Sequence, residues 1–123
     1  MKQSDVTMLS TDQLVQMFAN AAIQQFDALD MNDISKVNRL FWQLEKIEAE
    51  LKGRDGDQRR ALLNLYEHPN AQVRLKAVKA TLTVAPEAAR QMLQTIADSK
   101  EYPQAGEAGM SIWNLERGVY KPT

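Results

Sequence analysis

An all-α protein of about six helices stacked in layers is the fold class this sequence predicts. Three observations carry the prediction. The stretch His68 to Val84, HPNAQVRLKAVKATLTV, reads as one helix with two apolar faces: at about 100° per residue, Val73, Ala77, Ala80 and Val84 share one side, and Leu75, Val78 and Leu82 lie nearly opposite. Such a helix is covered on two sides, as in stacked helical layers that bind a partner rather than perform chemistry. Each helical segment is also bounded by recognisable start or stop residues, and no alternating strand pattern competes.

Taken in order, Ser10 with Gln13 three residues on forms a capping box that opens a first helix over 11–28. Its core stripe is Leu14, Val15, Phe18, Ala22 and Phe26. A polar turn from Asp27 to Asp33 follows, with Asp33 as N-cap of a second helix that runs to Lys52 and stops at Gly53. The stripe there is Val37, Leu40, Phe41, Leu44, Ile47 and Leu51. Gly53 to Gly56 is a turn, and a third helix over 57–67 turns Ala61, Leu62, Leu65 and Tyr66 inward. Pro69 breaks the chain and Asn70 caps the fourth helix. Pro86 sits near the first turn of a fifth helix ending about Asp98, and Pro103 does the same for a sixth ending near Gly118.

Residues 10–118 are expected to form a single domain, with an N-terminal extension over 1–9 and a C-terminal tail over 119–123. Within it, 57–84 and 87–116 read as two degenerate copies of one helical pair: Leu62-Leu63 is echoed by Met92-Leu93, and Ala77 by Ala108.

Composition narrows the function. At 123 residues the chain is long enough to bury roughly two-thirds of its unfolded surface without a covalent staple. Cysteine is absent, which removes disulfides, thiol nucleophiles and thiolate metal sites and suits a reducing compartment. The first residues, MKQSDVTMLSTDQ, lack the apolar core of a secretory signal, and no apolar run spans a bilayer. A cytoplasmic location without a membrane partner is the expectation. The formal net charge of −1 gives no global field for nucleic acid, although the first half is mildly acidic and the second mildly basic.

Catalysis is poorly provided for. The one histidine, His68, precedes Pro69 in a turn and reads as a capping residue rather than a general base. Asp27, Asp30 and Asp33 cluster near Asn32 but lack the alternation, central Gly and closing Glu of a calcium loop. Phosphate loops, nucleophile elbows and dinucleotide fingerprints are missing. No enzyme activity, cofactor or metal is expected.

The segment ALLNLYEHPNAQVRLKAVKATL resembles a HEAT-type repeat, with Asn70, Val73, Arg74, Ala77 and Ala80 on the positions of its second-helix motif. Residues 14–118 resemble a small bacterial all-helical family, HEAT-like in fold and of largely unassigned role. The resemblance rests on Asn38-Arg39-Leu40, Leu51-Lys52-Gly53-Arg54, the His68 to Leu75 stretch, Ala85-Pro86-Glu87 and Ile112-Trp113-x-Leu115-x-x-Gly118. It implies an α-α superhelix, a HEAT-like helical repeat. Some relatives of such proteins resemble immunity proteins, which neutralise a toxin delivered by a competing bacterium. The function expected on that basis is non-enzymatic protein binding, most specifically immunity to a cognate toxin.

Three sets of residues are candidates. Arg74 lies between the two apolar faces of its helix, beside Thr81. In HEAT-like stacks the matching arginine pairs with an acidic group of an adjacent repeat, here Asp55, Asp57 or Glu67, so Asn70, Val73 and Arg74 are assigned structural roles. Trp42 projects about 150° from its helix's main stripe, among Ser35, Arg39, Lys46 and Ala49. It is either an interface hot spot with Arg39 and Lys46 or, with Ala49, a second buried face. Trp113 reads as a packing residue near Met110 and Val119. Lys76, Lys79 and Thr83 form an exposed ridge, continued by Arg59 or Arg60, that suits an acidic protein. Nucleic acid is the lesser alternative, because the basic excess is small.

Overall fold

Capping chemistry sets the helix boundaries, and the side chains responsible are in place in the computed structural model, which describes residues 3–123. Five α-helices are formed: α1 (Thr11–Asp30), α2 (Ile34–Gly53), α3 (Ala71–Ala80), α4 (Pro86–Asp98) and α5 (Gln104–Glu116). Two 3₁₀ helices, Gln3–Met8 and Gln58–Leu65, complete the set, and there is no strand among the described residues. The all-α class is therefore observed. The chain forms two compact units, Met1–Ala61 and Leu62–Thr123.

In the first unit, the Gln13 N–H donates to Ser10 Oγ at 3.1 Å and the Ser10 N–H to Gln13 Oε1 at 2.9 Å, closing the capping box of α1. That helix runs two residues past its expected end. It stops because Asn32 adopts a left-handed φ of 55°, with the Asn32 N–H on Leu29 O and the Asp33 N–H on Ala28 O. The Asp33 carboxylate then accepts from the Lys36 N–H and starts α2. So short a turn folds the two 20-residue helices back on each other. They bury Leu14, Phe18 and Ala22 against Leu40, Leu44, Ile47 and Leu51.

The buried stripe is narrower than the sequence suggests. Val15 and Val37 are half-buried, while Phe26 and Phe41 are 37% and 38% exposed. Phe41 lies about 90° from the centre of the Leu40, Leu44, Ile47 and Leu51 row, so helical geometry turns it to the edge of the α1–α2 contact. Beyond α2, Arg54 gathers the chain that precedes α1. Its guanidinium donates to Leu9 O at 2.6 Å, Val6 O at 3.2 Å and Thr11 Oγ1 at 3.4 Å, and to Glu50 Oε2 at 2.8 Å.

Residues 57–67 do not form the expected α-helix. They form the 3₁₀ helix Gln58–Leu65, entered through left-handed Gly56 and Asp57, with Leu62 and Leu65 buried.

In the second unit, Asn70 Oδ1 accepts from the N–H groups of Gln72 and Val73 and starts α3. The helix ends at Ala80 rather than Val84. Thr81 caps it there, its hydroxyl set against Ala77 O and Val78 O and 2.5 Å from the Tyr66 hydroxyl. Burial holds Tyr66 above the ordinary tyrosine pKa, opposed by the Thr81 hydrogen bond. Both apolar faces of α3 are nonetheless buried, Val73, Ala77 and Ala80 on one side and Leu75, Val78 and Leu82 on the other, with Val84 half-buried. Leu75, Val78 and Leu82 join Ala89, Leu93 and Ile96 of α4 and Ala108 and Leu115 of α5 in one core. Gln72 and Gln104, both buried, satisfy each other at 2.8 Å. Gly118, at φ 72°, ends α5 as Asn32 ends α1.

Candidate functional site

The outer side of α2 presents Trp42. Because Leu40, Leu44, Ile47 and Leu51 point inward, helical geometry turns Trp42 about 180° away, and it is 68% exposed. Of the two readings open for this residue, the exposed one describes the chain. Ser35, Arg39, Lys46 and Ala49 are exposed around it. Its ring meets Phe41 edge-on, with centroids 5.1 Å apart and planes at 83°, an arrangement that suits the aromatic quadrupoles and restrains the indole. Ile34, also exposed, lies about two turns before Phe41 on the same side of the helix.

The α3 ridge is a different kind of surface. Lys79 Nζ lies 2.9 Å from Glu107 Oε2 on α5, so its charge is already answered. Burial pushes the Glu107 carboxyl upward, but the Lys79 hydrogen bond and the charges of Lys79 and Lys76 outweigh it and hold it below the usual range. Lys76 is half-buried, and of the ridge only Thr83 is exposed. Arg59 does not continue the ridge. It is 4% exposed and held by Asp57, with Nε and Nη2 on the two carboxylate oxygens at 2.9 and 2.7 Å and Glu48 at 3.8 Å. The paired guanidinium in turn holds Asp57 below the ordinary carboxylate range. Arg60 remains exposed.

Arg74 is a bridging residue, with a partner different from those expected. Asp55, Asp57 and Glu67 are not used. Nη1 donates to His68 O at 2.8 Å and Pro69 O at 3.0 Å, and Nη2 to Glu101 Oε1 at 2.6 Å. Those carbonyls belong to the turn just before α3, and the α4–α5 connection brings Glu101 within reach. His68 serves the same turn, its Nδ1 accepting from the Asn70 N–H at 3.0 Å. Val73 is fully buried.

A second aromatic surface lies on α5, where the sequence reading placed Trp113 in packing. Trp113 is 57% exposed, as are Met110 and Val119 to a similar degree, and the Arg117 guanidinium sits 5.4 Å from its ring centroid. The signal was present in the helical spacing. Gly106, Met110, Trp113 and Arg117 share the side opposite Ala108 and Leu115.

The aspartates at the α1–α2 turn do not assemble a site. Asp33 is committed to capping, and no group of three His, Cys, Asp or Glu among the described residues could hold a metal ion. No helix among the described residues is long and apolar enough to cross a membrane.

No curated protein matches the chain. Among solved structures, it is similar to the protein RPA1889 from Rhodopseudomonas palustris CGA009, at 52% identity and a TM-score of 0.94, over 97% of this chain and 98% of that one. Residues 12–116 match the family described as Domain of unknown function (DUF2019), from the start of α1 to the end of α5, and the chain belongs to that family.

Proposed function

We propose that this chain is a non-enzymatic protein-binding helical domain, and most specifically a bacterial immunity protein that neutralises a cognate toxin. The observation that carries the binding reading is Trp42, exposed between Arg39 and Lys46 on a helix whose opposite side is fully buried. Burying an indole and releasing its hydration water is among the most effective ways for one side chain to drive association. The arginine beside it adds hydrogen-bonding capacity at the rim.

The immunity assignment draws on the resemblance of residues 14–118 to a small bacterial HEAT-like helical family, some relatives of which resemble immunity proteins. The nucleic-acid alternative loses support, because the Lys79–Glu107 ion pair and buried Arg59 leave the second basic surface largely neutralised.

Co-purification from the native host tests the binding reading. The wild-type chain retains a specific protein, and Trp42→Ala loses it while its circular dichroism and unfolding midpoint stay unchanged. Trp113→Ala keeps the partner. Retention of the partner by folded Trp42→Ala removes this surface from the site. The immunity reading requires more: expression of the captured protein alone arrests growth, and co-expression with the wild-type chain restores it.

A further inference from the structure

The turn before α3 is fastened by a nitrogen that must stay unprotonated. His68 Nδ1 accepts from the Asn70 N–H at 3.0 Å, so its lone pair is in use and the neutral ring carries its proton on Nε2. That bond holds the residue that starts the helix. Asn70 Oδ1 receives the N–H groups of Gln72 and Val73 at 2.9 and 3.3 Å, from a backbone kept extended at φ −86° and ψ 126°. The carbonyl of the same histidine accepts from Arg74 Nη1 at 2.8 Å, and that guanidinium reaches on to Glu101. Acceptor nitrogen, helix cap and bridging arginine thus meet on one turn.

Imidazole is the side chain whose charge ordinarily changes between neutral and mildly acid pH. Protonation converts Nδ1 from acceptor to donor and sets its N–H against that of Asn70, so the bond is lost. The charged groups around the turn do not offset this. Arg74 brings a second positive charge to the His68 carbonyl, Glu101 is already engaged by that guanidinium at 2.6 Å, and Glu67, the preceding residue, is exposed. In the unfolded chain the ring has no such bond to lose. The bond's contribution is therefore complete where histidine is neutral and disappears as the pH falls through the ordinary histidine range. We propose that His68 is a proton-sensitive latch, which fastens the start of α3 near neutral pH and releases it in mildly acid medium. The Asp57 and Glu107 carboxylates, both held below their usual range, respond at lower pH, so the two effects are separable.

Amide hydrogen exchange, expressed as protection relative to the intrinsic rate at each pH, tests the latch between about pH 7.5 and 5.5. In the wild-type chain, protection of the Asn70 N–H is expected to fall roughly two- to tenfold, the range that one lost hydrogen bond supplies, and that of Gln72 and Val73 to fall with it. His68→Asn offers a carboxamide oxygen to the N–H two residues on and does not titrate, so its protection is the same at both ends of the range. His68→Ala lacks the acceptor and is equally weakly protected throughout. Constant protection in the wild-type chain overturns the proposal, as does a fall that persists in His68→Asn, which assigns the response to another group. A fall confined to the Asn70 N–H also overturns it, because the cap is then not released. Should either variant fail to fold, the wild-type Asn70 amide resonance, followed by NMR beside those of the His68 ring, decides the matter. One shared midpoint supports the latch, and separate midpoints or an unmoving amide resonance sink it.

Discussion

Arg74 and Glu101 stand 27 positions apart in sequence and 2.6 Å apart in space. The same guanidinium holds the carbonyls of His68 and Pro69. One side chain thus joins the turn before α3 to the connection between α4 and α5. Replacing Arg74 with Ala removes all three contacts and is expected to lower unfolding stability by about 1–3 kcal/mol. Glu101→Gln, which loses only a half-exposed charge, costs less than about 1 kcal/mol. Arg74→Lys recovers little, because an ammonium does not reproduce the fork geometry. Urea unfolding midpoints of the three variants check the order.

Stability and binding separate cleanly between the buried and exposed sides of the helices. Leu93→Ala empties a fully buried position in the α3, α4 and α5 core and is expected to cost about 2–5 kcal/mol. Trp42→Ala removes an exposed ring and stays within about 0.5 kcal/mol of wild type. Thermal unfolding of the two variants side by side tests this, and a large loss in Trp42→Ala shows that its ring is part of the packing.

Asn70 accepts two of the otherwise unpaired N–H groups at the start of α3. Asn70→Ala is expected to cost about 0.5–2 kcal/mol, and Asn70→Asp to retain most of the cap. Amide hydrogen exchange at Gln72 and Val73 reads the change locally, and unchanged protection there contradicts the assignment.

Acid sensitivity follows from two carboxylates. Asp57 is lowered mainly by its hydrogen bond to Arg59; Glu107 is raised by burial but lowered more by Lys79 and Lys76. For a carboxylate whose folded pKa is depressed, the stabilisation is complete above the unfolded value and lost as the pH falls through the folded one. The loss therefore begins near roughly pH 4 and continues below it. Asp57→Asn and Glu107→Gln should each flatten the fall in stability between neutral and acid pH. The effect of Glu107→Gln is the smaller because burial of Glu107 offsets much of what Lys79 and Lys76 gain, whereas the hydrogen bond to Arg59 dominates at Asp57. Denaturant titrations across that range provide the check, and an unchanged slope in both variants counts against the ion pairs.

What the sequence made legible was local. Ser10 with Gln13, Asp33 and Asn70 act on N–H groups two or three residues away, so their roles follow from spacing alone. The rows Leu14, Phe18, Ala22 and Leu40, Leu44, Ile47 and Leu51 follow from period. The echo between the two helical pairs was legible too, but its register is clearest at 31 residues, where Leu62, Leu65 and Ala77 correspond to Leu93, Ile96 and Ala108, all buried. The harder features depend on a second element or on competition within one. The end of α3 is decided by the Thr81 hydroxyl competing for carbonyls in a β-branched run, where the apolar pattern continues but the helix does not. The partner of Arg74 lies beyond any local window. Period alone places Trp42 and Trp113 opposite the buried rows, but it does not say whether another layer covers them.

The Arg54 clamp bears on how the chain is digested. The turn from Gly53 to Asp57 has the composition of a loop that trypsin would cut. Cleavage after an arginine, however, requires its guanidinium to enter the protease's acidic specificity pocket. Arg54 has committed that group to Val6, Leu9, Thr11 and Glu50, and Arg59, a few residues on, has committed its own to Asp57. Limited tryptic digestion should therefore pass over both bonds and begin at exposed Lys52 or Arg60. Glu50→Gln, by loosening one of the four holds, should make the Arg54–Asp55 bond newly susceptible. The peptide pattern would then report whether the segment before α1 remains fastened.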